Sequence, residues 1–541
     1  MSRRGFLVTA ALLAALYIAQ GLYFARVLVP VSDGVQYLMI GAKAVRGEIG
    51  VFDDRLPGNR MPLPFYVLGL TQLRGPDVKA PRFLNVVFGL GTLVLTVLLA
   101  RRLGGRVAGL IAGMFLATQG VVVAYYSYEG YPAFAALALT ASVFGVFTAQ
   151  TPRARLIGAV LAGLLFFVRS NLWPAAPFLL GYSLWRASRR AERLALVAVV
   201  VVPPLAYLAS DPTHLKILAY VPLLKRLVAP MGYDATLVFG VQEALPFREQ
   251  LWETARVVRR YEFWALATLV LIALLAWRRV HGQVSRWWGE DSRGGVLAAF
   301  FVYMLAAQFV MFSWNWGWVG LYFVSFAPLL PVLLGLGFAA LLAAAPAGSR
   351  SRRALVVVLV CLVLPPLYFV RNPILPIGEV MAQDPFVATH RAAARLRTLV
   401  PADAKVVFYG RNTAYYLSGL PETYLAPLYN PDAFARLHED PRVLHRFGFV
   451  DLKDMTEWFA RDADVAVIDV PLFRIREKEE SEQLMAEFLA RNFDLAGTVN
   501  EPPFNEYAVY RRRPGAGASA AGAPGAEASP APDTTGTRHR R

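Results

Sequence analysis

Long apolar runs separated by short arginine-rich segments constrain this sequence more than any other feature. Because a membrane-spanning helix needs roughly 20 mostly apolar residues, each run is a candidate span. The hydrophobic share of 56% and the mean hydropathy of +0.43 are also far above those of a soluble domain. The sequence predicts a polytopic α-helical membrane protein with about 11 transmembrane helices, at approximately residues 6–29, 83–100, 107–124, 132–149, 156–171, 172–186, 194–209, 262–277, 296–312, 319–343 and 354–370.

Basic residues fall on alternate connections between these runs. Together with Arg3 and Arg4 they follow the positive-inside pattern, so we expect a cytoplasmic N-terminus and an extracytoplasmic segment after Arg371. The net charge of +17 is therefore a topology signal rather than a sign of nucleic-acid binding. The excess of Arg over Lys in an Ala-rich chain is typical of a GC-rich bacterial genome, so we expect the membrane to be a bacterial inner (plasma) membrane. The basic clusters lie at residues 101–106, 153–155, 186–193, 278–293 and 350–353.

The region 156–186 allows two interpretations. Arg169, Ser170, Asn171 and Pro174 interrupt its apolar run. It therefore forms either two spans or a re-entrant pair.

The chain divides into three parts by composition. Residues 1–375 hold the spans and two long outer loops, 30–82 and 210–261. Residues 376–513 have a soluble composition, with buried strands predicted at 404–410 and 463–470, helices at 384–399 and 477–492, and a closing hairpin after Thr498. This pattern predicts a C-terminal extracytoplasmic α/β domain. Residues 514–541 are rich in Ala, Gly and Pro, and we expect them to be disordered.

The start of the first outer loop carries an acid close to the predicted membrane surface. A helix beginning at Ser32, which is a favourable N-cap residue, would place Asp33 and Tyr37 on one face because they are four residues apart. The loop closes in the sequence NRMPLP, whose prolines cannot continue a helix.

These features together resemble a known group of enzymes. The first outer loop opens with SDGVQYLMIGAKAVRGE and closes with NRMPLPFYVLGL. A short second outer loop, distinct from 210–261, carries YYSYEGYPAF at residues 125–134, and many spans lead to an outer α/β domain. This order is similar to the GT-C membrane glycosyltransferases (glycosyltransferase family 39-like), and most similar to the protein O-mannosyltransferases and lipid A aminoarabinose transferases. The resemblance implies transfer of a hexose or pentose from a polyprenyl-phosphate donor to a lipid, glycan or protein acceptor in the cell envelope.

In that family the acid of the first loop is the catalytic base, which corresponds to Asp33 here. Many members have two adjacent acids, whereas Gly34 follows Asp33, so Glu129 in the second outer loop is the candidate for the second carboxylate. The base takes a proton from the acceptor hydroxyl as it attacks the anomeric carbon with inversion. The alternative role for Asp33 is a helix N-terminal residue favoured by the dipole. For Glu129 it is a solvated position within an aromatic belt.

Three basic residues are candidates for binding the donor phosphate. Arg169 interrupts an apolar run, and an arginine there usually faces protein or a water-filled cavity. Its guanidinium could bind a phosphate through two hydrogen bonds; the alternative is an arginine that extends to the interface. Arg60 and Lys43 in the first outer loop are further candidates, and a solvated loop cation is the alternative for Arg60.

Aromatic residues supply the candidates for sugar or acceptor binding: Tyr37, Tyr128, Tyr131 and Trp316. The tyrosines could stack on a sugar and hydrogen-bond to it. An aromatic belt at the membrane interface is the alternative for all but Tyr37.

Other chemistries find little support in the sequence. Its single cysteine, Cys361, excludes an intrachain disulfide, and there is no Cys/His cluster typical of zinc. Some GT-C enzymes use a divalent ion such as Mg²⁺ or Mn²⁺ and others use none, so the metal requirement stays open. The rival class is a transporter or lipid-sugar flippase. Such folds often carry inverted repeats, and this sequence shows no internal repeat. A non-catalytic scaffold is a third alternative, because Asp33 lacks an adjacent acid.

Overall fold

The structure is a computed structural model. It describes residues 2–30, 32–48, 61–220, 224–231, 248, 252, 261–280, 293–312, 319–370, 385–420, 424–425, 463–475, 480–502 and 505–514. The helices of its N-terminal part are α1 Arg3–Val27, α2 Ser32–Val45, α3 Pro62–Gly69, α4 Lys79–Ala117, α5 Gly120–Tyr125, α6 Pro132–Thr148, α7 Pro152–Leu164, α8 Ala175–Arg186, α9 Arg190–Ser210, α10 Lys225–Val228, α11 Glu262–Val280, α12 Arg293–Phe312, α13 Val319–Phe326, α14 Leu329–Ala344 and α15 Arg350–Val363.

These helices confirm the polytopic helical architecture predicted from the apolar runs. Helices α1, α4 and α9 are long and apolar enough to cross a membrane, and α6, α11, α12 and α14 are shorter apolar helices. The predicted span 319–343 is wrong as one helix, because it divides into α13 and α14. The chain turns at Ala327 and Pro328 between them, since the proline ring cannot continue the helix before it.

The long helix α4 contains a chain reversal at Gly105. This residue has φ 84° and ψ −179°, a conformation that favours glycine. The two halves of α4 contact each other, because a Cβ at Gly113 would lie 2.7 Å from Val97 Cγ2. Two helical segments joined at Gly105 therefore occupy the predicted spans 83–100 and 107–124, and the second ends at Ala117, before the short helix α5.

Helices α2 and α3 cross at two glycines. A Cβ on Gly69 would lie 2.3 Å from the carbonyl oxygen of Gly41, so only glycine permits this approach. The α3 helix begins at Pro62, where the missing N–H of proline leaves no helical hydrogen bond unmade. This crossing fixes the position of α2 against α3.

The C-terminal part is an α/β unit around one five-stranded sheet. Its elements are α16 Pro385–Leu399, β1 Val406–Tyr409, α17 Thr413–Ser418, β2 Tyr424–Leu425, β3 Val465–Asp469, α18 Val470–Ile475, α19 Glu480–Asn492, β4 Phe493–Glu501 and β5 Asn505–Arg512. The strand order is β2-β1-β3-β5-β4, with β1 parallel to both β2 and β3, and β5 antiparallel to β3 and β4. The strands, flanking helices and closing hairpin predicted from the sequence are confirmed.

The two faces of this sheet bury different helices. Val406 and Phe408 of β1 share a core with Leu396 of α16, while Val407 and Tyr409 share one with Met485 and Leu489 of α19. Alternating side chains of β1 therefore face opposite layers, as the pleat of a strand requires.

An ion pair joins the ends of β1 and β3. The carboxylate of Asp469, at the end of β3, accepts hydrogen bonds from Arg411 at its backbone N (2.9 Å), Nε (2.7 Å) and Nη2 (2.9 Å). Although burial works against the charged guanidinium, the hydrogen bond and charge of Asp469 raise the pKa of Arg411. Gly410 has φ 119°, and a Cβ there would lie 2.1 Å from Asp469 Cβ. The pair fixes the loop after β1.

The same loop and the helix α17 that follows it contact the helical part of the chain. Asn412 Nδ2 lies 2.9 Å from Sδ of Met39 in α2, and the Tyr416 hydroxyl donates to Gln72 Oε1 at 2.7 Å. From α16, the Phe386 ring lies 4.6 Å from the Arg82 guanidinium. The α/β unit thus lies against the first turns of α4 and the middle of α2.

Candidate active site

The first two turns of α2 form the centre of the candidate site. The helix begins at Ser32, as predicted, and so carries Asp33 in its first turn. Next in the chain, Gly34 lies against Glu129: a Cβ there would be 2.6 Å from Glu129 Cγ. Tyr37 lies one turn further along, about 6 Å from Asp33 along the axis. The α2 start and the second outer loop predicted from sequence are therefore neighbours.

Glu129 forms a buried ion pair with Arg82. Arg82 Nε lies 2.6 Å from Glu129 Oε2, and neither side chain is exposed. Arg82 Nη1 also donates to the carbonyl oxygens of Leu28 (2.7 Å) and Ala25 (3.1 Å) at the end of α1. A cation is favourable there because the helix dipole is negative at its C-terminal end. One guanidinium therefore connects α1, α4 and the loop carrying Glu129.

Asn85, one turn after Arg82, holds that loop in place. Its Nδ2 donates to the carbonyl oxygens of Tyr128 (2.5 Å) and Gly130 (2.7 Å). The Tyr126 hydroxyl donates to the carbonyl oxygen of Val324 in α13 at 2.7 Å. The two bonds from Asn85 satisfy backbone groups in a fully buried turn, where an unmade hydrogen bond would be costly, and the bond from Tyr126 joins this turn to α13.

Arg169 is the centre of an aromatic cluster beside the same helix. Its Nη1 donates a hydrogen bond to the hydroxyl of Tyr37, and its guanidinium lies 4.1 Å from the Tyr131 ring and 5.8 Å from the Tyr322 ring. The Tyr37 ring also stacks on Phe65, with centroids 4.6 Å apart. Arg169 is only 4% exposed. It faces protein, as expected of an arginine inside an apolar run.

The local chain explains how an arginine is placed there. Helix α7 ends at Leu164, a short 3-10 turn covers Leu165–Phe167, and Arg169 itself is extended (φ −164°, ψ 141°) before a second turn, Ser170–Leu172. The carbonyl oxygen of Asn171 accepts from Gln308 Nε2 at 2.7 Å. The region 156–186 thus divides into two helices, α7 and α8, with Arg169 in the irregular connection between them.

Half-buried aromatic rings surround this connection. Phe166 and Trp173 stack with centroids 4.6 Å apart, and Phe167 and Tyr207 meet edge-on at 5.4 Å. The Trp173 indole N–H donates to the carbonyl oxygen of Phe166 at 3.0 Å. An apolar surface therefore adjoins the buried cation.

The structure brings together four of the residues proposed from sequence: Tyr37, Glu129, Tyr131 and Arg169. Tyr128 belongs to the same buried loop, but its ring lies against Gly130. Lys43 is in the last turn of α2, about 15 Å along the helix axis from Asp33. The proposals for the Asp33 side chain, Arg60 and Trp316 fall outside the described residues.

Arg82 and Asn85 were not among the site residues proposed from sequence. The predicted span began at residue 83, which left Arg82 as an ordinary cation at a membrane interface. The signal that could have identified the two residues is their spacing: they lie three apart, on one face of an otherwise apolar helix. Within the described part of the chain, no group of three or more His, Cys, Asp or Glu residues could hold a metal ion.

Comparison with known proteins identifies the architecture. No protein-family model and no curated protein matches the sequence. Among solved structures, ArnT from Cupriavidus metallidurans bound to undecaprenyl phosphate is 14% identical, with a TM-score of 0.55 over 95% of this chain and 99% of that one. ArnT in the apo state is 13% identical, with a TM-score of 0.53 over 94% and 98% of the two chains.

A second enzyme shares the architecture at lower similarity. The Archaeoglobus fulgidus oligosaccharyltransferase, tethered to an acceptor peptide containing the NVT sequon, is 10% identical, with a TM-score of 0.51 over 95% of this chain and 74% of that one. Both neighbours are GT-C fold membrane glycosyltransferases. The chain therefore has the GT-C fold of the membrane glycosyltransferases, as the motifs of its first two outer loops predicted.

Proposed function

We propose that this protein is a membrane glycosyltransferase that moves a sugar from a polyprenyl-phosphate donor to an acceptor hydroxyl with inversion. Asp33 is its general base. The active site faces the extracytoplasmic side of a bacterial inner membrane, where the α/β unit also lies. The observation that carries the proposal is that the first two turns of α2 lie between the Glu129 carboxylate, at Gly34, and the Arg169 guanidinium, at Tyr37.

The Arg82–Glu129 pair supports the assignment of Asp33, and not Glu129, as the general base. Because Arg82 neutralises Glu129 at 2.6 Å, this carboxylate is poorly suited to take a proton. Its contact with Gly34 instead fixes the turn that presents Asp33. We therefore assign Glu129 to positioning and leave proton removal to Asp33, as the family resemblance implies.

Arg169 is suited to the donor phosphate. The rings of Tyr131 and Tyr322 and the Tyr37 hydroxyl orient its guanidinium. A planar guanidinium binds phosphate through two parallel hydrogen bonds. The aromatic surface formed by Phe166, Phe167, Trp173 and Tyr207 offers an apolar path for the first isoprene units. The ArnT structure that contains undecaprenyl phosphate supports a donor of this class.

The reaction requires one proton acceptor and one stabiliser of the leaving charge. The Asp33 carboxylate removes the proton of the acceptor hydroxyl as its oxygen bonds to the anomeric carbon. The bond between that carbon and the phosphate oxygen breaks, and its electron pair leaves with the polyprenyl phosphate. The Arg169 guanidinium stabilises the charge that develops on this phosphate.

The experiment compares Asp33→Asn with a matched control, Asp77→Asn, in the purified full-length protein. Asp77 accepts hydrogen bonds from the N–H groups of Lys79 and Ala80 at the start of α4, one on each carboxylate oxygen. Asparagine, also a favoured cap residue, keeps one of these two acceptors. A panel of undecaprenyl-phosphate-linked hexoses and pentoses serves as donor, with a lipid extract, envelope glycan or protein as acceptor. Native mass spectrometry measures retention of undecaprenyl phosphate.

We expect Asp33→Asn to lower transfer by roughly 10²- to 10⁴-fold while undecaprenyl phosphate is retained. The Asp77→Asn variant should transfer at the wild-type rate. Unchanged transfer by Asp33→Asn would remove Asp33 from the mechanism. Movement of the lipid-linked sugar across a vesicle membrane, with no transfer to any acceptor, would favour a flippase instead.

A further inference from the structure

A groove lies between helices α8 and α9, away from the candidate active site. Its volume is about 570 Å³. Three of its residues, Gly181, Leu184 and Trp185, occupy one face of α8, and four, Arg190, Arg193, Leu194 and Val197, occupy one face of α9. These spacings of three, four and seven residues place each set on a single helix face.

The groove has a basic end and an apolar end. Arg190 and Arg193 lie at the start of α9, whereas Leu194 and Val197 continue along it. The arginines are accompanied by Arg186 at the end of α8 and by Arg189 in the connection between the helices. The acid of this segment, Glu192, pairs with Arg155 at 2.6 Å. The charge at this end is therefore strongly positive.

Chain connectivity places this groove at the opposite membrane face from Arg82 and Glu129. Helix α6 begins directly after Tyr131 of the site, and α7 begins at Pro152, just after α6 ends. The Arg155–Glu192 pair joins the start of α7 to the start of α9, so the basic end of the groove lies at that far end. By the positive-inside pattern it is the cytoplasmic face.

We propose that this groove binds an anionic glycerophospholipid. Arg190 and Arg193 hold the headgroup phosphate, and the acyl chain follows Leu184, Leu194 and Val197. The Trp185 side chain, 69% exposed, lies at headgroup depth, where tryptophan is favoured because its ring is apolar and its N–H is polar. Basic pockets between spans on the cytoplasmic side are suited to acidic headgroups.

The proposed lipid is distinct from the donor. A donor phosphate at Arg169 lies near the first turns of α2, whereas the groove begins at the other end of α7 and α8. The proposal therefore does not depend on the glycosyltransferase function, and a failure of either leaves the other intact.

The test uses the full-length protein in detergent with Arg190→Gln/Arg193→Gln. The matched control is Arg350→Gln/Arg352→Gln at the start of α15, which removes the same charge from exposed positions outside the groove. Native mass spectrometry measures binding of palmitoyl-oleoyl phosphatidylglycerol and of the zwitterionic phosphatidylcholine with the same chains. Inorganic phosphate and glycerophosphate serve as competitors to separate a lipid site from a free-phosphate site.

We expect the wild-type protein and the control to prefer phosphatidylglycerol, and the groove variant to bind it roughly 10- to 30-fold more weakly. Brominated phosphatidylglycerol should quench part of the tryptophan fluorescence of the wild-type protein. In Trp185→Phe the quenched fraction should fall by more than the share of one tryptophan in the total fluorescence. Equal binding by both double variants, equal affinity for both lipids, or displacement by millimolar glycerophosphate would each overturn the proposal. A variant that unfolds is identified by its thermal transition and replaced by Arg190→Lys/Arg193→Lys, for which we expect intermediate binding.

Discussion

Arg82 and Glu129 are separated by 47 positions in the chain, yet their side chains meet at 2.6 Å with no exposure to solvent. The pair joins the start of α4 to the second outer loop, and Glu129 in turn lies against Gly34. Its partners at Ala25 and Leu28 and its contact with Phe386 bring α1 and the α/β unit to the same guanidinium. Four segments of the chain thus depend on one side chain.

Breaking this pair should be strongly destabilising. We expect Arg82→Met to lower the free energy of unfolding by about 3–5 kcal/mol, because Glu129 would be left as a buried charge without its cation. The double variant Arg82→Met/Glu129→Leu should regain most of this loss. Thermal unfolding in detergent measures both. The control is Arg491→Met, which breaks the exposed pair with Glu487 and should change stability little; additive losses in the double variant would contradict the coupling.

Gly34→Ala should reduce transfer. The added methyl would lie 2.6 Å from Glu129 Cγ, so the first turn of α2 or the Glu129 side chain must move. We expect a fall in kcat of roughly 10- to 100-fold, since a displacement of about 1 Å near reacting groups has this effect. The control is Gly294→Ala, whose new Cβ would have its nearest neighbour at 3.8 Å. Wild-type kcat in Gly34→Ala would show that this contact does not position Asp33.

Arg169→Gln should weaken both donor binding and turnover. We expect kcat/KM to fall by about 10²- to 10³-fold, as when a donor that stabilises the developing oxyanion is removed. Arg169→Lys should be intermediate, because it keeps the charge but loses the planar fork. Arg186→Gln is the matched control, since that guanidinium also lies near a ring, 5.8 Å from Tyr182, but at the far end of α8. Initial rates against donor concentration separate KM from kcat; a glutamine variant with wild-type kcat/KM would exclude Arg169 from phosphate binding.

Tyr416→Phe should loosen the contact between the α/β unit and the helical part. The hydroxyl of Tyr416 donates to Gln72 Oε1 at 2.7 Å, and removing it leaves that acceptor with one hydrogen bond fewer, at a cost of about 1 kcal/mol. Hydrogen–deuterium exchange should rise in residues 412–418 and in 70–72. Tyr510→Phe, in β5, serves as the control. Equal exchange in the two variants would mean that the hydroxyl does not hold this contact.

Much of the fold could be predicted because the helices are set by local patterns. Apolar runs located α1, α6, α9, α11 and α12 to within a few residues. The predicted span 319–343 was wrong because hydropathy does not respond to a single break: Ala327 and Pro328 are apolar, yet the proline ends one helix and begins another. The reversal at Gly105 was anticipated only through the arginines around it.

Part of the candidate site could also be predicted from the sequence, for a different reason. Arg169 and Glu129 are visible because a charge within or beside an apolar run is costly and therefore unusual. Arg82 was not visible, since a cation at the start of a span is common, and its partner lies in a distant loop. Local sequence carries no information about which carboxylate such a cation will meet.

The contact of the α/β unit with α2 and α4 has a practical consequence for inhibition. Asn412 lies against Met39, and Phe386 lies over Arg82, so the support of helix α2 extends into the α/β unit. On the proposed function, a compound or antibody that binds between this unit and α2 would lower transfer without first entering the bilayer. An inhibitor of the proposed glycosyltransferase therefore need not be an apolar mimic of its lipid donor.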